Sequence, residues 1–301
     1  MKSITVITVN FIHHYVTEEL LCSISEKNTY PNLEILVIDN GSTINPVPEW
    51  KIKYPQVRFI RSDKNLGFAG GNNLGIKAAK GDYFFLVNND TEFTEGLVEK
   101  LAETLDKYPC AGIVCPKIRY YKTDILQYAG FTPMNYYTAR NACLGQFEKD
   151  LGQYDHLSGK TSFAHGAAMM VRREAVEKAG SMPEGFFLYY EEMDWSERIK
   201  RAGYTIRLNM QAMIFHKESV SVGNKSALKE YYMNRNRILF IRRNCRYSTI
   251  FIFWLYFLFV VTPRNLISYI RINKPDFIRV LFKAITWNFT NSINSLNAGL
   301  R

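Results

Sequence analysis

Strand-like hydrophobic runs in this chain end repeatedly on small polar residues. "ITVITVN", "LEILVIDN" and "YFFLVNND" are dense in β-branched and aromatic residues, and they stop on Asn10, on Asp39-Asn40 and on Asn88-Asn89-Asp90. "QVRFIRS" is a shorter run of the same kind. Helix-period segments separate them: "TEELLCSISE", opened by Thr17 with acids in its first turn; "GGNNLGIKAAK"; and "TEGLVEKLAETLDKY", whose Val98, Leu101 and Leu105 are its apolar positions before Pro109. Strands alternating with helices predict an α/β fold with a mostly parallel sheet flanked by helices. Ligands in such sheets bind beyond the carboxyl ends of the strands, so the polar tips mark the candidate site.

The second half reads more coarsely. After an irregular, Tyr-rich stretch over about 118–160, "SFAHGAAMMVRREAVEKAG" predicts a strand running into a helix. "YYEEMDWSERIKRAGY" predicts an acidic helix start, and "TIRLNM" and "AMIFHK" predict two short strands. From Lys229 onward twelve basic residues face two acidic ones, an excess equal to the +10 of the whole chain, so residues 1–228 are neutral. The apolar run at 250–261 is twelve residues long, short of the roughly 20 that a helical span needs. Ile278, Leu281, Phe282, Ile285 and Phe289 follow at helical spacing, with Arg279 and Lys283 off that stripe. Such runs edged by basic residues predict a segment lying in the membrane interface. An oligomerisation surface, or a helix packed on the core, accounts for the same pattern. No base-reading module accompanies the basic tail, which argues against nucleic acid. Five cysteines without Cys-x-x-Cys spacing predict reduced, buried thiols in a cytosolic protein, and the N-terminus lacks a signal-peptide core.

The polar tips suggest specific chemistry. Asp39 follows its strand where Gly41 permits a sharp turn, and its carboxylate suits the ring N–H of uracil or thymine; Asp is also an ordinary turn residue. In "NLGFAGGNNLGIKAAKGDY", Gly67, Gly70, Gly71 and Gly75 let backbone approach a sugar or phosphate at a helix N-terminus, and a close helix–strand crossing explains them equally. Asn88 and Asp90 share a face of their strand tip and suit the partial oxygen shell of Mg²⁺ or Mn²⁺ on a diphosphate. His216 adds an imidazole, which Mn²⁺ tolerates better than Mg²⁺. Glu191, Glu192 and Asp194 crowd three carboxylates behind aromatics, and mutual repulsion and burial both raise a carboxylate pKa toward that of a general base. Acids in a first turn also simply stabilise a helix, the role assigned to Asp194, bonded to Arg198.

Taken together, "VITVNF", "ILVIDNGS", "NLGFAGGNNLGIKAAKGDYFFLVNND", "HGAAMMVRREAVEKAG", "GFFLYYEEMDWSERIKRAGY" and "FHKESVSVG" resemble family 2 glycosyltransferases of the GT-A fold, in the rhamnosyltransferase and galactofuranosyltransferase subgroup. The resemblance covers roughly residues 3–243. It implies an inverting, metal-dependent transfer of a hexose from a UDP- or dTDP-sugar to a saccharide acceptor, polyprenyl-linked given the tail, on the inner face of the plasma membrane. It places Thr8, Asn10 and Asp39 on the nucleoside, and Asn65, Gly67 and Asn73 on the nucleoside–sugar side. Asn88-Asn89-Asp90 stands in the place of the Asp-x-Asp motif, with Asp90 and His216 on the metal. Glu192 takes the catalytic-base position beside Glu191. Asn88 and Glu192 depart from the commoner Asp at their positions, which leaves a catalytically silent sugar-nucleotide-binding scaffold as the alternative. The expected division is a catalytic domain over 1–228, with a donor half to about 117 and an acceptor half after it, and a helical region over 229–301.

Overall fold

The computed structural model describes residues 1–217 and 226–300; the "ESVSVG" portion of the last motif lies outside them. The predicted strands form as β1 (Ile4–Asn10), β2 (Leu33–Asn40), β3 (Arg58–Ser62) and β4 (Tyr83–Asn88), interleaved with α1 (His14–Lys27), α2 (Val47–Lys53) and α3 (Gly67–Ala78). Then come β5 (Thr91–Phe93), α4 (Leu97–Lys107), β6 (Ala111–Tyr120), β7 (Leu126–Tyr128), β8 (Gly159–Lys160), β9 (Ala168–Arg172), α5 (Arg173–Ala179), α6 (Glu191–Arg201) and β10 (Thr205–His216). The sheet runs β3-β2-β1-β4-β9-β6-β10-β5, with β7 on β6 and β8 on β10.

β1 to β4 are parallel, as are β6 and β10. β9 joins these two groups antiparallel to both β4 and β6, so the sheet is mixed. "TIRLNM" and "AMIFHK" form one strand whose register slips between Asn209 and Met213, absorbing the polar Gln211 that splits the pattern. α1 begins a turn before Thr17 and has no acid in its first turn; Thr17 instead turns inward, its hydroxyl bonded to Asn10. Cys22 and Cys110 are exposed, which corrects the expectation that every thiol is buried.

The C-terminal region is helical: α7 (Ala227–Asn244), α8 (Tyr247–Tyr256), a π-helical turn at Phe257–Val261, α9 (Thr262–Arg271) and α10 (Asp276–Thr290). The apolar run does not stop at Val261. Thr262 N–H donates five residues back to Phe257 O and its hydroxyl does the same at 3.0 Å, so the π turn carries the helix past Pro263. The result is 25 continuous helical residues, Tyr247–Arg271, with a mean hydropathy of 1.8 over the most apolar stretch, 17% of it buried. It is long and apolar enough to cross a membrane. Its C-terminal part nevertheless lies along α7: Asn265 donates to Asn234 at 3.3 Å and Tyr269 OH to Glu230. On α10 the buried face is Phe277, Val280, Leu281, Ala284 and Ile285, while Phe282 and Phe289 of the expected stripe are exposed. Ile238–Ile241 of α7 share one apolar core with Phe163, Phe186 and Met193 of the sheet domain.

Candidate active site

Parallel register brings the strand tips level: Asn10 lies beside Asp39, and Val9 beside Asn88. Asp39 is fully buried, and one carboxylate oxygen accepts from Asn10 Nδ2 at 2.9 Å and from the Ser42 hydroxyl. The other accepts from Arg61 at 2.7 Å. Arg61 and Ser42 escaped the sequence reading, Arg61 because "QVRFIRS" reads as an unremarkable strand. Thr17 ties two tips together, donating to Asn10 Oδ1 at 2.9 Å and accepting from Asn89 Nδ2 at 3.0 Å. Thr8 is buried with its hydroxyl unpaired among the described residues.

The Gly/Asn-rich segment is set by close approach. Asn40 binds the backbone of Leu66 and Gly67, and Asn65 Oδ1 accepts from Gly67 N–H at 2.8 Å, fixing the loop before α3. Gly67 has φ +74°, and a Cβ there would stand 2.5 Å from Phe187 O, so no other residue fits. A Cβ on Gly75 would stand 2.4 Å from Ile7, the close helix–strand crossing weighed above. Asn73 spends its amide on Met182 and Glu184, joining α3 to the segment that leads into α6.

At the tip of β4, Asp90 Oδ1 lies 3.0 Å from His216 Nε2, and both residues are buried. Asn88 Nδ2 is 3.4 Å from the same nitrogen. On the ring's other side, Gln127 Oε1 stands 2.8 Å from His216 Nδ1. When the proton sits on Nδ1 and is donated to this carbonyl, Nε2 is free to ligate beside Asp90, and the two atoms are about as far apart as neighbouring ligands on one hard cation. The donor set fits Mg²⁺ or Mn²⁺ whose remaining ligands come from a diphosphate; among the described residues no cluster of three His, Cys, Asp or Glu forms. Gln127 lies in the irregular stretch, where no pattern exposed it.

The glutamates reach the same place from the other side. Asn88 N–H donates to Ala167 O at 2.9 Å, and a Cβ on the adjoining Gly166 would be 3.9 Å from the Glu192 carboxyl carbon. Burial pushes the Glu192 carboxyl up to about 7. Glu191 is almost wholly enclosed, with one oxygen unpaired among the described residues, and burial together with the neighbouring Glu192 holds it well above the carboxylate range. One proton-accepting and one neutral carboxyl group thus stand side by side.

Backbone strain positions them. Phe187, Tyr189 and Tyr190, just ahead of α6, all have positive φ (66°, 67° and 73°), which side-chain-bearing residues adopt only under constraint. The constraint is α7. Asn236, fully buried, donates to the carbonyls of Phe186, Leu188 and Tyr189 at 3.0, 2.7 and 2.8 Å, and Arg235 reaches Gly185 O. Asp194 pairs with Arg198 as expected, and also with Arg243 and Asn244 of α7. Nothing in "YYMNRNRILFIRRN" signals this, because the partners lie about fifty positions away.

Comparison with known proteins follows the same lines. The glycosyl transferase family 2 model matches residues 3–180. The N-acetylglucosaminyl-diphospho-decaprenol L-rhamnosyltransferase of Mycobacterium tuberculosis is 26% identical over 232 residues, covering 70% of this chain and 74% of the relative. A low-salt glycan biosynthesis hexosyltransferase of Haloferax volcanii is 26% identical over 254 residues, covering 79% and 75%. Among solved structures, the GDP-mannose and Mn²⁺ complex of a Pyrobaculum calidifontis mannosyltransferase superposes with a TM-score of 0.59 at 14% identity, over 96% of this chain and 87% of that one. GalNAc-T7 with UDP, GalNAc and Mn²⁺ gives 0.62 at 13% identity, over 80% and 48%. With the family model spanning more than half its length and this sheet beneath it, the chain belongs to glycosyltransferase family 2, in its rhamnosyltransferase-like subgroup, and is a glycosyltransferase of the GT-A fold.

Proposed function

We propose that the protein transfers a hexose, with inversion, from a UDP- or dTDP-sugar to a hydroxyl of a lipid-linked saccharide at the cytoplasmic leaflet. The observation that carries this reading is the meeting of Glu192 with the Asp90–His216 pair across the Asn88–Ala167 hydrogen bond. Glu192, poised near neutrality, takes the proton of the acceptor hydroxyl as that oxygen attacks the anomeric carbon. The bond to the donor phosphate breaks on the opposite face, and the nucleoside diphosphate leaves with the electron pair. Asp90 and His216, with Asn88 beside them, hold Mg²⁺ or Mn²⁺, whose charge when bound stabilises the departing diphosphate.

Asp39 receives the ring N–H of the base on the oxygen that takes only Arg61, with Thr8, Asn10 and Asn89 around it. Asn65, Gly67 and Asn73 shape the loop along the nucleoside–sugar side. Three similar proteins support the substrate classes: the mycobacterial enzyme is named for a diphospho-decaprenol acceptor, and the mannosyltransferase and GalNAc-T7 structures hold nucleotides with Mn²⁺. Donor binding is tested by thermal shift with UDP-, dTDP- and GDP-sugars, with and without Mn²⁺. Catalysis is tested by donor hydrolysis and transfer: the wild-type protein turns over and Glu192→Gln does not. A protein that binds donor and never turns it over would be the silent scaffold.

A further inference from the structure

Two arginines stand between the glutamates and the exposed helix, and no step described so far uses them. Arg140 closes a tight turn, its backbone paired with Asn135, and its guanidinium lies 5.9 Å from the Tyr256 ring centroid of α8. Arg237 rises from α7, donates to Thr138 O of the same turn, and lies 5.8 Å from the Phe257 ring. Its Nε is buried and unpaired among the described residues. The neighbouring arginines of this region are occupied: Arg198 and Arg243 share Asp194, Arg242 bonds Asn288 and Asn291 O, and Arg235 bonds the backbone carbonyls of Gly185 and Ala298. Arg140 and Arg237 have no carboxylate partner among the described residues, and burial, with the like charge of Arg140, disfavours the charge on Arg237. Arg237, half-buried, and the exposed Arg140 thus bring two guanidinium groups to one turn, an arrangement that an anion would stabilise.

Their neighbours define which anion. Tyr190, two residues before Glu192, packs its ring 5.8 Å from that of Phe240, which stands one turn after Arg237 on α7, so the arginine turn adjoins the segment that carries the base. On their far side the chain turns apolar: Phe251, Leu255, Leu258 and Phe259 of the long helix are exposed. The order is therefore general base, paired positive charges, apolar surface. A saccharide joined through phosphate to a lipid has the matching order: hydroxyl, negative charges, hydrocarbon. We propose that Arg140 and Arg237 form the subsite for the diphosphate of a prenyl-diphosphate-linked acceptor, whose prenyl chain runs along the exposed face of the 247–271 helix. This rests on the acceptor class proposed above and assigns its recognition to two residues. Planar guanidinium forks suit phosphate oxygens, and exclude an uncharged glycoside from the same gain in affinity.

The test titrates the full-length protein calorimetrically with geranyl diphosphate in EDTA, where the Asp90–His216 pair has no cation with which to recruit phosphate. The wild-type protein binds. Arg140→Glu, on an exposed side chain, binds at least about tenfold more weakly, Arg237→Lys is intermediate because it keeps charge without the fork, and geraniol gives no binding. The UDP-sugar thermal shift with Mn²⁺ is unchanged in both variants, which shows that they fold and keep the donor site. In transfer assays Arg140→Glu raises KM for a prenyl-diphosphate-linked sugar and leaves that for an alkyl glycoside unchanged. Wild-type and variant proteins binding geranyl diphosphate alike, or none binding it, would overturn the subsite while leaving glycosyl transfer standing. Diphosphate binding lost in the variants, in a protein that transfers no sugar to any acceptor, would keep the subsite and overturn the function.

Discussion

At the scale of single residues, the decisive quantity is the proton on Glu192. Its folded pKa, about 7, lies above the ordinary carboxylate value near 4.3, so the folded state holds a proton that the unfolded chain has released between those limits. The associated stability is full below about pH 4, and is lost as pH rises toward 7. Activity has the opposite sign, because the base must be unprotonated: kcat/KM should climb through an acid limb centred near pH 7. Glu192→Gln should therefore abolish transfer and yet melt higher than wild type at pH 8, by roughly 1–2 kcal/mol once partial exposure is allowed for; a variant less stable than wild type at that pH contradicts the buried-carboxyl picture. Gln127 gives a second prediction. Gln127→Leu removes the group that orients His216, and should raise the Mn²⁺ concentration for half-maximal activity about 10–100-fold without loss of fold, measured by Mn²⁺ titration and circular dichroism. Asn10, Asp39, Asp90 and His216 were legible because each ends a hydrophobic strand, where a polar residue lacks a packing reason. Arg61, Ser42 and Gln127 were not, since only the folded register brings them to those tips.

At the scale of elements, periodicity located β1 to β4, α1, α3 and α4 of the donor half but not α2, β5 or β6, and strand direction was what it could not supply. β9 is a run of four apolar residues ending on Arg172 that reads alike in either orientation, and only its pairing makes it antiparallel. α7 was read as the start of a basic tail because its charges dominate the pattern. In the fold, Arg235 is fully buried and Arg242 and Arg243 are spent on backbone carbonyls, Asn288 and Asp194. Asn236→Ala leaves three carbonyls of a strained segment without their donor, and should destabilise the protein by about 2–4 kcal/mol. It should also lower kcat more than it weakens donor binding, because the strand tips do not depend on α7. Equal losses in kcat and donor affinity would mean that α7 supports the whole sheet, not the base.

At the scale of the molecule, the long apolar helix shows how length alone misleads. Its 25 residues satisfy the requirement for a span, but its C-terminal part is bonded along α7, which is itself part of the core. A helix pinned in this way lies beside the domain, and its exposed residues form a lateral apolar surface suited to a membrane interface. Arg246 just ahead of the helix, with Arg264 and Arg271 on it, would add attraction to anionic lipid, on the order of 1 kcal/mol each. The double substitution Phe251→Asp and Phe259→Asp, both on exposed side chains, should release the protein from anionic vesicles in a sedimentation assay while preserving the donor thermal shift. Undiminished pelleting would mean that another surface meets the bilayer. Deleting the region would be a poorer test, because it strips apolar partners from Ile238 and Phe240, each contributing about 1.5–3 kcal/mol.

The antiparallel insertion of β9 also has a consequence for how the chain is made. β4 needs β9 along its free edge, but some eighty residues separate Asn88 from Ala168, a gap that a ribosome takes roughly 4–16 s to cover. Throughout that interval the nascent "YFFLVN" has one side unpaired, a sticky aromatic edge open to the wrong neighbour. Slowing translation between those positions should therefore lower the yield of soluble protein more than slowing it after Arg172.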